Sequence, residues 1–471
     1  MDLHYYKLYE MTSLHFLDWA IITTYFLFIL WVGVFKFKKK LKTENEFILS
    51  GRKLSLVGFI ATLVTTWYGG ILGVGENTLL YGIQTWFIFG LPYYFFAVIY
   101  AFLIAPKIRE KGFLSIPDHF HNSFGEQAGI TSALIISFLA SPAPYILSLG
   151  IILQFLFGIE LGLSLFISTL VSIIYIWNGG FSAIVATDRI QFVLMFIGFI
   201  SLFIFLYIAN GSPIKLIHKL SPSMLDPLGG NSLQYLFVWF FIASWTFIDP
   251  GFYQRCSAAK NPDTAKKGIL FSIFFWAIFD FLTLICGLYA IETISPDQAL
   301  LTYPILAFEV LPYGFLGIFL VGTIATIMST IDSLSLVSAV TFGRDILWRI
   351  ETNKSTLSPI NFMKKGLIII SFFSLTISYL LPSVIALFYT LGSLLIPGLI
   401  LPFLYSLKKD NRLINQNITW WMILPIFVSA IWFTLSKLIN QSPLGMEPFY
   451  PGMATSFLYY IIINIKANYG N

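Results

Sequence analysis

The stretch TTWYGGILGVGE, residues Thr65 to Glu76, decides how the chain is read. It lies inside an apolar run from about Leu54 to Tyr81, where an unbroken helix of Leu, Ile and Val would be more stable. Instead it carries four glycines, two hydroxyls and a carboxylate. Glycine weakens a helix interior by roughly 0.5–1 kcal/mol relative to alanine. In hydrocarbon, backbone groups released by such an interruption are tolerated only where protein or a water-filled cavity surrounds them. The stretch therefore reads as an interrupted helix inside a bundle.

Composition sets that bundle in a bilayer. Of 471 residues, 57% are hydrophobic and 11% charged, against about a quarter charged in a soluble domain. Apolar stretches of about 20 residues, long enough to cross the hydrocarbon core, recur throughout. They place thirteen spans at about 17–36, 55–82, 85–106, 128–157, 161–177, 182–210, 232–255, 268–291, 314–342, 365–381, 384–407, 418–437 and 448–465. With the N-terminus outside, every Lys and Arg except Lys7, Lys215, Lys219 and Lys437 falls in an inward loop. That bias is the one that orients membrane proteins, and one missed span would invert every later loop. The net charge of +5 thus reports topology, and no nucleic-acid partner is expected.

The expectation is an all-α, multi-pass protein of the plasma or inner membrane, embedded in the lipid bilayer, with its C-terminus cytoplasmic. It is expected as a monomer or weak homo-oligomer. Residues 1–16 show neither a basic n-region nor a small-residue cleavage site, so the first span reads as an uncleaved anchor. Cys256 and Cys286 fall near opposite membrane faces and read as packing residues.

A second interruption occupies the seventh span, SWTFIDPGFYQR (Ser244 to Arg255), with Asp-Pro-Gly at the break. Proline removes a backbone donor and ends a helix. The interrupted spans lie five apart, so five helices from residue 55 correspond to five from residue 232. Paired broken helices at matched positions point to a transport site near the midplane. The segment from Asn210 to Asn231 reads as loop, and that from Ser295 to Tyr313 as a short helix over the outer face.

Polar residues inside the spans form two clusters. The ninth span holds TIATIMSTIDSLSLVSAVTFGRD, Thr323 to Asp345, in which Thr326, Ser329, Thr330 and Ser333 share one face. A lone hydroxyl usually bonds back to its own helix. Asp332 does not fit that role, because an acid in the bilayer costs at least about 2.5 kcal/mol and marks an ion or solute path. Hydroxyls beside a carboxylate supply hard oxygen donors, the type sodium takes. The second cluster is NGGFSAIVATDRIQ, Asn178 to Gln191. There Asp188 either pairs with Arg189 at the interface or faces the bundle while Arg189 faces headgroups. Glu76 reads as lining an outer vestibule or reaching interfacial water, and His119 and His121 as loop histidines without a metal role.

Taken together, TTWYGGILGVGENTLLYG, GGFSAIVATDRIQ, DPGFYQRCSAAK and IMSTIDS resemble the sodium:solute symporter family, over roughly residues 50–400. This family comprises sodium-coupled proline, sugar, sialate, pantothenate and choline carriers. The resemblance implies a LeuT-like inverted repeat of five plus five helices, with one extra helix before and two after. Residues 1–54 would then hold the first span and a basic linker, 55–210 and 211–407 the two repeats, and 408–471 the accessory helices.

The resemblance also implies a sodium site from the carbonyls of Thr65, Tyr68 and Thr326 and the hydroxyls of Ser329 and Thr330. A second cation site would fall on Asp188, Ser329, Asp332 and Ser333, although members often carry a hydroxyl where this chain has Asp332. Candidate solute contacts are Trp67, Gly69, Gly70, Tyr93, Tyr94, Asp249 and Tyr253. Leu72 stands where sugar carriers place an amide, and Trp67 where the proline branch has an acid. The nearest motif likeness is to the choline branch, whose aromatic cage suits a quaternary ammonium. Asp249 reads either as an amine ligand or as the cap of the restarted half-helix.

The function expected is sodium-coupled import of a small organic solute, an amine, amino acid or organic acid, by alternating access. Two alternatives stand beside it. A membrane-embedded transferase would need a nucleophile, base or metal cluster, and no HExxH motif or phosphate-binding loop occurs. A transporter-like sensor would need an attached signalling domain.

Overall fold

The structure, a computed structural model, describes residues 14–32, 43–351, 358–381, 383–407 and 418–469, without the side chains of 172, 175 and 466–469. Helix dominates, and the one β-type pairing among the described residues is an isolated bridge. α1 (Phe16–Leu30) comes first. The first expected interruption is present: α2 (Leu56–Trp67) gives way to a three-residue 3-10 turn, Tyr68–Gly70, before α3 (Ile71–Tyr81). α4 (Leu91–Leu103), α5 (Glu126–Leu139) and α6 (Ala143–Phe157) follow. The last two divide the expected span 128–157, because Pro142 and Pro144 end one helix and begin the next. α7 (Leu161–Asn210) runs through the expected fifth and sixth spans, with a sharp break at Gly180 (φ +50). A side chain there would collide with the Phe47 carbonyl, so only glycine fits.

The second interruption is longer. α8 (Leu233–Ile242) passes into a 3-10 stretch, Ala243–Ile248, and Asp249 is extended before α9 (Pro250–Ala258). α10 (Pro262–Tyr289), α11 (Phe315–Phe342), α12 (Pro359–Leu380), α13 (Val384–Ser406), α14 (Ile418–Leu438) and α15 (Phe449–Tyr469) complete the chain. Among the described residues, ten helical stretches are long and apolar enough to cross a membrane, and Phe16–Leu30 and Leu161–Val171 are apolar but shorter. The segment expected to hold a short helix forms a 3-10 turn, Pro296–Leu301, and a helix, Thr302–Val310.

Burial identifies the axis of the bundle. In α11 every residue from Leu316 to Thr341 except Ile318 is buried, whereas α7, α10 and α12 keep many large apolar side chains exposed to lipid. A helix buried on every side, its hydroxyl face included, is a core element enclosed by the others. Two ties hold the helices around it. Asp18 of α1 is buried and its Oδ1 accepts from the N–H groups of Gly314 (2.7 Å) and Gly317 (2.8 Å) at the start of α11. A carboxylate there satisfies donors the helix leaves free and meets its positive dipole end. At the basic end, Leu54 N–H donates to Ala258 O (3.0 Å) and Leu54 O accepts from Lys260 N–H (3.1 Å). This exchange joins the entrance to α2 with the exit from α9.

The same end carries an ion network. Arg344 contacts Glu44 (2.5 Å), Asp345 (2.5 Å) and Asp118 (3.3 Å), and Arg349 contacts Asp118 (2.6 Å). Beside it lies the short helix Ile116–Phe124. Burial pushes the Asp118 carboxyl up, but Arg344, the Leu114 N–H and Arg349 outweigh it and hold it below the usual carboxylate range. His119, expected as a loop histidine, is fully buried against Phe113, Tyr253 and Phe403. Burial, reinforced by Lys111, lowers its pKa to about 4.

Candidate functional site

The interruption in α2 meets the hydroxyl face of α11 at close range. A Cβ on Gly69 would lie 2.5 Å from Tyr145 Cδ1 and nearer still to Thr330. The absence of a side chain lets Thr330 Oγ1 donate to the Thr66 carbonyl (2.8 Å). Around this contact the polar side chains of three helices converge. Ser329 Oγ donates to Asp188 Oδ1 (2.7 Å) and lies 3.0 Å from Thr65 Oγ1. Thr62 Oγ1 donates to the other oxygen of Asp188. Thr66 Oγ1 lies 3.3 Å from Ser329 Oγ and 3.1 Å from Ser333 Oγ. All these residues but Thr66 are buried.

The donor set is hydroxyl and carboxylate oxygen without sulfur or imidazole, which fits a hard monovalent cation such as sodium. Asp188 is fully buried and Arg189 exposed, so the acid faces the bundle. The carbonyls are disposed differently from the expectation. Thr65 O accepts from Tyr68 N–H and Tyr68 O from Ile71 N–H, because the break is a tight 3-10 turn rather than an unwound segment. Each keeps a second lone pair. Thr326 Oγ1 bonds back to Gly322 O (2.7 Å), and the Thr326 carbonyl accepts from Thr330 Oγ1 (3.3 Å).

Two residues of the expected second cation site behave differently. Ser333 Oγ accepts from Arg255 Nη2 (2.9 Å), and the same nitrogen donates to Thr62 Oγ1 (2.8 Å), Thr62 O (3.1 Å) and Thr66 Oγ1 (2.7 Å). Arg255 was counted among the inward-loop charges; it is instead fully buried, over the Phe181 ring. It belongs to the last turn of α9, and its long side chain runs back into the bundle. Asp332 is fully buried, yet neither of its oxygens has a hydrogen-bond partner among the described residues. It is not joined to Asp188 and Ser333.

Next to these oxygens is a cavity of about 130 Å³. Of the residues named as candidate solute contacts, Trp67, Gly70, Tyr93 and Asp249 line it, together with Thr66, Thr330 and Arg255. The Trp67 ring meets Tyr93 edge-on (4.6 Å) and lies near Trp276 (5.1 Å) and Phe252 (6.1 Å). Asp249 caps α9: Oδ1 accepts from Phe252 N–H (2.8 Å) and Oδ2 from Trp245 Nε1 (2.7 Å). Tyr253 does not line the cavity; one residue on from Phe252, it turns toward His119. Gly69 sits behind the wall against Thr330, and Tyr94 reaches Asp280.

Asp280 was not anticipated. It lines the cavity from α10, with Oδ1 accepting from Tyr68 Oη (2.8 Å) and Oδ2 from Tyr94 Oη. Its signal was present, since it is the one charged residue from Ile269 to Ile291, and the argument that selected Asp332 applies equally.

Comparison with known proteins agrees with this geometry. The chain matches the profile described as Sodium:solute symporter family across residues 47–386. It is 29% identical over 196 residues to a high-affinity choline transporter 1 of Caenorhabditis elegans, covering 38% of this chain and only 33% of that one. It is 26% identical over 351 residues to the sodium/pantothenate symporter of Haemophilus influenzae, covering 68% and 70%. In structure it resembles a Na+-coupled sialic acid symporter in a substrate-bound, outward-open state, with TM-score 0.78, 18% identity and coverage of 97% and 98%. The arrangement is therefore the LeuT-like repeat that the paired interruptions imply. A profile match across most of the chain, on a bundle whose broken helices meet a hydroxyl-bearing core helix, places this protein in the sodium:solute symporter family.

Proposed function

We propose that this chain imports a small organic solute by coupling its entry to sodium through alternating access. The observation that carries the reading is the convergence of Thr65, Ser329, Thr330 and Asp188 on the interruption of α2, beside a cavity lined by that same interruption. Sodium would be held by the Ser329 and Thr330 hydroxyls with carbonyls of Thr65, Tyr68 and Thr326. So placed, it would fasten α2 to α11 and fix the cavity wall at Trp67 and Gly70. A cation that favours the conformation with a closed wall raises solute affinity, and by linkage the solute raises sodium affinity equally. The membrane potential adds about 2.3 kcal/mol per charge per 100 mV, enough for one sodium to drive accumulation of a neutral solute.

For a second cation Asp188 and Ser333 are the oxygen donors in reach, with Arg255 already bonded to Ser333 and Asp332 standing apart from both. The relatives named for choline and pantothenate keep both amines and organic acids in view. The basic loops support an orientation with the N-terminus outside the plasma or inner membrane. The test is uptake into proteoliposomes of radiolabelled choline, proline and pantothenate under an imposed sodium gradient, with potassium as control. Sodium-stimulated accumulation of one of them supports the reading. Identical uptake in both salts, with no sodium-induced thermal stabilisation, overturns it.

A further inference from the structure

The charges around the cavity do not cancel. Asp249 has both oxygens occupied by Phe252 N–H and Trp245 Nε1, and Arg255 stands across Gly251 from it. Asp280 has no Lys, Arg or His partner among the described residues and is held only by two neutral phenols. Each of its oxygens keeps acceptor capacity, since a carboxylate oxygen takes two donors. Much of the remaining wall is aromatic, with Trp67, Tyr93, Tyr145, Trp239, Phe252 and Phe388, and aliphatic side chains such as Leu63 and Leu334 fill between them. Ring faces attract cations and repel anions. A half-buried carboxylate without a counter-charge, facing a largely apolar cavity, is costly, and a positively charged ligand removes that cost where a neutral or anionic one does not.

We propose that the cavity selects a small organic monocation, with Asp280 as its counter-ion and the aromatic walls enclosing its apolar part. The proposal rests on the symport reading above and names its solute class. A volume of about 130 Å³ is near that of a cavity known to take a ligand of six heavy atoms, about 150 Å³. Tyr68 also links this carboxylate to the sodium oxygens. Its hydroxyl bonds Asp280 and Trp276 O (2.9 Å), while its backbone forms the 3-10 turn two residues beyond Thr66. A cation drawn to Asp280 therefore bears on the segment that sodium holds.

The experiment is thermal stabilisation of the purified full chain in lipid nanodiscs. The probes are tetramethylammonium, n-butylamine, isobutyrate and tert-butanol, each with and without saturating sodium. Tetramethylammonium or n-butylamine should raise Tm in sodium, and isobutyrate and tert-butanol should not. Asp280→Asn, which keeps an acceptor for one phenol, should weaken the cation response tenfold or more and retain the sodium-induced shift. Tyr94→Phe, which frees one carboxylate oxygen, should alter the cation response without removing it. Equal stabilisation by tert-butanol or isobutyrate, or an unchanged cation response in Asp280→Asn, overturns the proposal. Loss of the sodium shift in the unmodified chain is a separate readout and counts against symport itself.

Discussion

Asp188 and Arg255 share one hydroxyl: Thr62 Oγ1 donates to the carboxylate and accepts from the guanidinium. A fixed positive charge thus stands one side chain away from Asp188, held by oxygens of Thr62, Thr66 and Ser333, the last of which was expected in the second cation site. Like charges about 7 Å apart repel by about 2 kcal/mol at an effective dielectric near 20. Arg255→Gln should therefore lower half-saturating sodium by roughly tenfold or more, read by sodium-dependent thermal shift. A higher sodium requirement would mean that the guanidinium organises the site instead of competing for it.

Ser329 and Thr326 lie on one face of α11 but present different atoms to the site. Ser329 Oγ serves Asp188 and Thr65, whereas the Thr326 hydroxyl is spent on its own helix. A hydrogen bond to a charged group contributes about 1.5–3 kcal/mol. Ser329→Ala should raise half-saturating sodium by roughly tenfold or more, and Thr326→Ala by less than about twofold. Sodium titration of uptake measures both, and equal effects would contradict the assignment of hydroxyl to one and carbonyl to the other.

Gly69 and Gly73 separate close approach from helix weakening. A methyl at Gly69 meets Thr330 and Tyr145, whereas at Gly73 its nearest neighbour is Val384 Cγ1 at 3.5 Å. Overpacking costs about 1–3 kcal/mol, so Gly69→Ala should lower Tm and abolish sodium-dependent uptake. Gly73→Ala, within the helix interior of α3, should keep or raise Tm. Comparable loss in both would mean that the glycines serve flexibility rather than proximity.

His119 sets an acid limit on the basic end. Its pKa near 4 in the folded protein lies below the ordinary value of 6.5. Between these values the unfolded chain binds a proton that the folded one refuses, so stability falls as pH falls from about 6.5 to about 4. The full effect is roughly 3 kcal/mol. Asp118, with its pKa depressed, contributes stability above about 3.9 that disappears only as pH falls further, through its folded value. Thermal melts should lose stability first in the His119 window, and His119→Gln should flatten that part of the profile. An unchanged profile would show that the imidazole protonates without cost.

The interrupted spans were legible because Gly-Gly and Asp-Pro-Gly have few uses in an apolar run other than a break. Asp188, Ser329 and Thr330 were legible because oxygen donors are conspicuous in a bilayer. Side-chain direction was less so. Tyr253 was chosen where Phe252 lines the cavity, a rotation of about 100° that spacing resolves only once the half-helix register is known. Arg255 followed the loop charges in sequence, but the start of α9 at Pro250 puts it in the last turn, with its head inside. Asp332 carried the right chemistry, yet its oxygens are joined to none of the hydroxyls expected to share a cation with it. Polarity revealed the site; register decided its members.

The Asp18 clasp ties α1 to the start of α11, and the backbone exchange at Leu54 ties the two fractured helices to each other. Between these two pairs runs the contact of Thr330 Oγ1 with the Thr66 carbonyl. On the symport reading proposed above, a sodium ion lodged there would act as a rivet between the two pairs, and its departure would free one to slide past the other.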